Sequence, residues 1–397
     1  RTHIFREDTM DFSALDQYLQ HVTEVGPSGC AVSVNLHGET VFSKCYGVES
    51  EQTMQPVSEQ TLFRMYSMSK VITAVAVMKL YEKGAFALDD PLCRYLPEFS
   101  TPQILKGAAN NAIVYVPARE PITIRHLLTM TAGLTYGSQL DPVSWQTTQL
   151  VQRLNQGAYS VREFSREIAK LPLAFEPGCG YRYSFCLDVA GALVEELSGK
   201  RFGAFLADEI FEPLGMERSG FFFEDLHTDH VAEFYSIDAE GRRYIDPVDD
   251  EAFHKSRGFE SGGAGVLSTL ADMTKFASAL ANGGNGILGR KTIDLMRQDH
   301  LRGKARKDFD AATQNPKWRI LKGYSYGLGI RTLVSLAESG LNGSIGEFGW
   351  GSLGGSFIVC DPQERLSICY LHQLHQPDNM ENEITPRVKA MVYSQLA

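Results

Sequence analysis

β-forming segments stand near both ends of this chain, and helical periodicity fills most of the interval between them. Residues 30–36 and 40–45 are two short β-rich runs split by His37-Gly38-Glu39, whose central glycine supplies turn conformations that other residues resist. Further strand signals return in residues 327–334, 355–360 and 366–371. Strands from distant parts of a chain are stable only when they share a sheet and bury one face of it. The pattern therefore predicts an α/β (α+β) fold, with a sheet built from both termini and an inserted, mainly helical subdomain.

The helical readings rest on apolar spacing. Phe12, Leu15, Tyr18, Leu19 and Val22 recur every three or four residues and predict a leading helix from Met10 to about Thr23. A long helix is expected over 67–83, with Gly84 as its stop, and others over 122–130, 161–170, 187–197 and 270–280. A final helical stretch runs to Ala397. The α/β part is placed at about 10–84 and 236–397, and the inserted part, 85–235, is read as helix and loop. Residues 1–9 precede the first periodic segment and are read as a leader or tag.

With 397 residues, 43% of them hydrophobic, the chain can bury a large core, as one composite fold or as two interleaved subdomains. Its net charge of −10 argues against nucleic acid as a partner, which needs clustered Lys and Arg to displace counterions. The densest basic patch, 302–307, lies beside Asp308 and Asp310 and is read as a solvated loop. Seven scattered cysteines without a C-x-x-C pair fit reduced thiols and a cytoplasmic protein. No run approaches the ~20 apolar residues of a membrane span.

Three segments carry chemistry. In Ser67-Met68-Ser69-Lys70, Ser and Lys fall three apart on one helical face, so the amine can reach the hydroxyl and accept its proton. At the first turn of a helix, unpaired N–H groups also favour developing negative charge. Tyr183, in Tyr181-Arg182-Tyr183-Ser184-Phe185, lies on a loop entering a helix, where a nearby Lys cation would let its phenol relay a proton. Gly349-Trp350-Gly351-Ser352-Leu353-Gly354-Gly355 precedes a strand, and its small residues allow close backbone approach to a ligand.

Other chemistries find less support. No serine sits in a G-x-S-x-G elbow, and there is no phosphate-binding G-K-[ST] loop. His227/His230 and His372/His375 are three apart but lack an H-E-x-x-H context. No metal or organic cofactor is expected.

These segments, in this order, resemble the serine β-lactamase and penicillin-binding-protein superfamily, and most closely the family VIII carboxylesterases. Nearly the whole chain takes part, as a single catalytic domain over about 10–397, through further family-like segments at Thr123-Ile124-Arg125-His126-Leu127-Leu128 with Thr131-Ala132-Gly133-Leu134, Pro213-Leu214-Gly215-Met216 and Glu260-Ser261-Gly262-Gly263-Ala264-Gly265. The resemblance implies an antiparallel sheet flanked by helices, and a covalent acyl-enzyme on Ser67 with Lys70 and Tyr183 moving protons. It implies an oxyanion hole from the Ser67 and Leu353 N–H groups, with Tyr66, Phe185, Trp350, Gly351 and Ser352 near the substrate. Phe185 stands where the β-lactamases carry Asn, and Trp350 where they carry Lys, so a handle for a substrate carboxylate is missing. The expected substrate is a short-chain carboxylic ester. The alternatives are a β-lactamase or D-amino-acid peptidase, and a non-catalytic penicillin-recognising module.

Overall fold

The architecture follows from a computed structural model that describes residues 10–109, 112–138, 141–246, 250–375 and 381–396. The expected leader at 1–9 and the last residue, Ala397, lie outside the described residues. Among these, seven strands form one sheet: β1 (Gly29–Leu36), β2 (Glu39–Gly47), β3 (Tyr324–Tyr326), β4 (Arg331–Leu333), β5 (Phe348–Gly351), β6 (Phe357–Asp361) and β7 (Leu366–His372). Their spatial order is β2-β1-β7-β6-β5-β4-β3, with every neighbouring pair antiparallel. The two ends of the chain meet where β1 pairs with β7, Cys30 opposite His372.

Strict alternation divides this sheet between two cores. Val32, Val34, Val359, Ile368 and Tyr370 face one side, where they pack on Leu15, Leu19 and Val22 of helix α1 (Ser13–Val25) and on Ile384, Val388 and Val392 of the C-terminal helix Glu381–Tyr393. Ala31, Ile358, Cys360, Cys369 and Leu371 face the other side and join the larger core. Helix α2 (Ser69–Glu82) runs through that core, with every residue from Ser69 to Met78 buried. A helix buried all round carries no amphipathic stripe; it is held in place by packing on every side.

Several expected elements shift. Residues 327–334 are not one strand: β3 and β4 are separate, with a turn at Gly327 to Ile330 between them. The middle region is not only helix and loop, because Gln103–Ala109 and Ala112–Pro117 pair as a two-stranded hairpin. The basic patch is helical rather than a loop, lying at the start of the helix Gly303–Ala312. Lys304–Asp308 and Arg306–Asp310 are ion pairs one turn apart, so the acidic neighbours stabilise the helix itself.

Candidate functional site

Ser67 sits in a single 3₁₀ turn, Tyr66–Met68, that leads directly into α2. The short strand Phe63–Arg64 pairs with Leu267–Ser268, and Met65 N–H donates to the Val266 carbonyl, so the turn is anchored before it begins. Tyr66 adopts φ +41°, a left-handed conformation disfavoured for a bulky side chain. Its ring packs edge-on against Phe234 and Phe253, which holds the backbone in that turn.

Lys70 is fully buried, one turn beyond Ser67. Its Nζ lies 3.3 Å from Ser67 Oγ and donates to the Gly263 carbonyl at 2.7 Å. Lys70 Nζ also stands 4.6 Å from the centre of the Tyr183 ring and 5.5 Å from that of Tyr136. Burial raises the Asp188 carboxyl above the usual range, against the opposing pull of nearby Lys70. Asp188 Oδ1 accepts from the Ser261 hydroxyl and from Gly263 N–H, at 3.1 Å for the latter. Asp188 therefore fixes the loop whose carbonyl holds Lys70.

Tyr183 lies beside the Cys186–Ser198 helix, which packs against α2. Trp350 Nε1 donates to Tyr183 Oη at 3.0 Å, and the two rings stack with centroids 5.4 Å apart. Trp318 closes on the same phenol edge-on at 5.6 Å. After β5 the chain turns, with Gly354 N–H donating to Ser352 Oγ and Gly355 N–H to Ser352 O; Leu353 is half exposed at the tip. A Cβ at Gly351 would meet the Glu381 carboxylate, so a side chain there would have to displace it.

Ser67, Tyr66, Tyr183, Trp350, Gly351, Ser352 and Leu353 all line one cavity of about 430 Å³. Phe185 does not: its ring packs against Tyr136 at 4.4 Å and Phe164 at 5.1 Å, outside the cavity lining. Sequence reasoning missed Tyr136, Trp318, Arg331, His375 and Glu381, which line the same space. Tyr136 follows the family-like Thr131-Ala132-Gly133-Leu134 by two residues, a signal that was open to use; His375 stood out only as one of a histidine pair, and Trp318, Arg331 and Glu381 lie in unmarked sequence. The His372/His375 pair lies along strands, and the two rings separate. His372 is buried against the Tyr370 hydroxyl at 2.9 Å, whereas His375 reaches the cavity. Among the described residues no cluster of three potential metal ligands occurs. No helix among them is long and apolar enough to cross a membrane.

Residues 15–390 match the family model described as Beta-lactamase. Esterase EstB of Burkholderia gladioli is 29% identical over 387 residues, covering 92% of this chain and 91% of that protein. The solved structure of EstCE1, described as a hydrolase with promiscuous acyltransferase activity, is 26% identical with a TM-score of 0.79, covering 96% of this chain and 97% of that one. Simvastatin synthase (LovD) from Aspergillus terreus has a TM-score of 0.84 at 23% identity, covering 97% and 99%, and this likeness bears on the fold alone.

Proposed function

This chain belongs to the Beta-lactamase family, and from that premise we propose that it is a serine hydrolase cleaving short-chain carboxylic esters through an acyl-enzyme on Ser67. The observation that carries the reading is the 3.3 Å approach of a fully buried Lys70 amine to Ser67 Oγ at the wall of a cavity that Tyr183 also lines. Ser67 Oγ attacks the ester carbonyl and passes its proton into the Lys70–Tyr183 pair. The developing oxyanion is met by the Ser67 and Leu353 N–H groups. Collapse expels the alcohol, which takes up the proton, and leaves an ester on Ser67. Water then attacks that ester, gives a proton to the same pair and releases the carboxylate as Ser67 recovers its own.

The preference for esters is supported by what surrounds the serine. Trp350 supplies an apolar ring where related β-lactamases carry a cation, and its N–H is already engaged by Tyr183. The relative matched over 91% of its own length, EstB, is named as an esterase. Wild-type protein should turn over a p-nitrophenyl butyrate more efficiently than a cephalosporin, and Ser67→Ala should lose that turnover while keeping its circular-dichroism spectrum. A higher kcat/KM on the cephalosporin would favour the β-lactamase reading. Failure of a fluorophosphonate to label Ser67 in folded protein would favour a non-catalytic binding module.

A further inference from the structure

One side of the cavity carries a charged pair that the proposed chemistry leaves unused. Arg331 of β4 and Glu381, at the start of the C-terminal helix, are joined by a 2.6 Å Nη1–Oε1 contact, with side chains only 3% and 5% exposed. Arg331 Cζ also stands 5.2 Å from the centre of the Tyr324 ring. Both residues line the cavity that holds Ser67. Arg331 Nη2 is buried and has no hydrogen-bond partner among the described residues. A guanidinium presents five donors in a rigid fork, so an unused edge is a fixed recognition feature. Leaving such a donor buried and unpaired is costly, and evolution or a ligand normally removes the cost.

We propose that Arg331 is a specificity-determining residue whose Nη2 donates to a second, neutral oxygen of the substrate, a carbonyl, hydroxyl or ether remote from the bond that Ser67 attacks. The contact to Glu381 sets the chemistry. It cancels the guanidinium charge locally, so a carboxylate brought to the same edge meets the Glu381 charge as well, whereas a neutral acceptor needs only the N–H. The pair also stands directly behind β5: Arg331 is in register with Gly349, and the Glu381 carboxylate abuts Gly351. The favoured substrates are then oxo-, hydroxy- or alkoxy-substituted esters rather than plain alkyl esters.

This inference rests on the ester reading for its biological meaning, but its test does not need turnover. Calorimetric titration with octan-2-one and octane-2,7-dione, uncleavable ketones differing by one remote carbonyl, measures binding alone. The dione should bind wild-type protein at least about fivefold more tightly, and in the Arg331→Met/Glu381→Met double variant the two ketones should bind within about twofold of each other. If the double variant does not fold, Arg331→Lys keeps a cation for Glu381 but lacks the second arm of the fork, and should lose the preference likewise. No preference in wild type, or the same preference in the folded variant, overturns the proposal. Absence of ester hydrolysis with the dione preference intact would overturn the ester reading and leave this one standing.

Discussion

Trp350 Nε1 donates a 3.0 Å hydrogen bond to the phenol oxygen of Tyr183, and the indole stacks on the ring that carries it. One aromatic residue thus fixes both the plane and the oxygen of the other, while Lys70 approaches the same ring from another direction. A hydrogen bond to an oxygen that gains charge is worth about 1.5–3 kcal/mol, more than one to a neutral group. Trp350→Phe keeps an aromatic ring but removes the donor together with part of the buried indole. In protein whose circular dichroism matches wild type it should lower kcat for a p-nitrophenyl ester by roughly tenfold to a hundredfold. Unaltered kcat would mean that Tyr183 needs no support from Trp350.

Lys70 offers a sharper perturbation. Lys70→Met keeps most of the buried volume and removes the group within reach of Ser67 Oγ. Loss of general-base assistance should lower kcat by about 10²–10⁴. Stopped-flow measurement of p-nitrophenol release, on protein whose circular dichroism matches wild type, checks this. Activity within threefold of wild type would remove Lys70 from the proton path.

Acid should destabilise the fold through its buried histidines. Desolvation lowers His126 to about 4, and His372 to about 3, both from 6.5. Between pH 6.5 and 4 the unfolded chain binds a proton that folded His126 refuses. Its contribution is therefore fully present above pH 6.5 and is lost as the pH falls through 4. By pH 4.5 the loss from His126 is about 2.5 kcal/mol. Urea unfolding at pH 7 and pH 4.5 should show a smaller drop for His126→Gln than for wild type. Equal drops would place the acid sensitivity elsewhere.

A second buried pair bears on stability rather than on chemistry. Lys389 Nζ lies 2.5 Å from Glu347 Oε2, with both side chains within 1% of full burial; Tyr324 donates to the same carboxylate, and Tyr393 shares its one proton between Glu347 at 3.1 Å and Asp361 at 2.8 Å. Burial lowers the Lys389 ammonium and Glu347 opposes that shift. Lys389→Met leaves the carboxylate without its cation, which should cost about 3–5 kcal/mol. Denaturant titration reads the change directly, and a loss below about 1 kcal/mol would show that the tyrosines alone carry the Glu347 charge.

The legible parts of the fold were those where burial repeats locally. Val32 and Val34 alternate with residues facing the other core, and the apolar spacing of Leu15, Leu19 and Val22 places α1 on the sheet. Side-chain caps also mark helix starts that periodicity alone leaves uncertain, as at Thr123, Ser160 and Thr269. The hairpin at Gln103–Ala109 was not legible because residues 103–105 and 114–116 are all half-exposed and give no clean alternation, and Lys106-Gly107 interrupts the first strand. The helix Gly303–Ala312 was missed because its charges were weighed as a patch, although their four-residue spacing to Asp308 and Asp310 is helical.

The same division runs through the site. Ser67 and Lys70 lie within one helical turn, so local geometry determined their approach, and the sequence alone was enough to predict it. Tyr183 and the Trp350 loop took their roles in the site only from the resemblance, and Phe185, expected beside them, lies outside the lining of the cavity. Which of these side chains meet depends on how β5, α2 and the Cys186–Ser198 helix pack, and packing joins residues regardless of their distance along the chain. The Trp350–Tyr183 hydrogen bond and the unused edge of Arg331 were decided at that level. A hydrogen bond requires a particular distance and direction between two side chains, and only the tertiary structure specifies these.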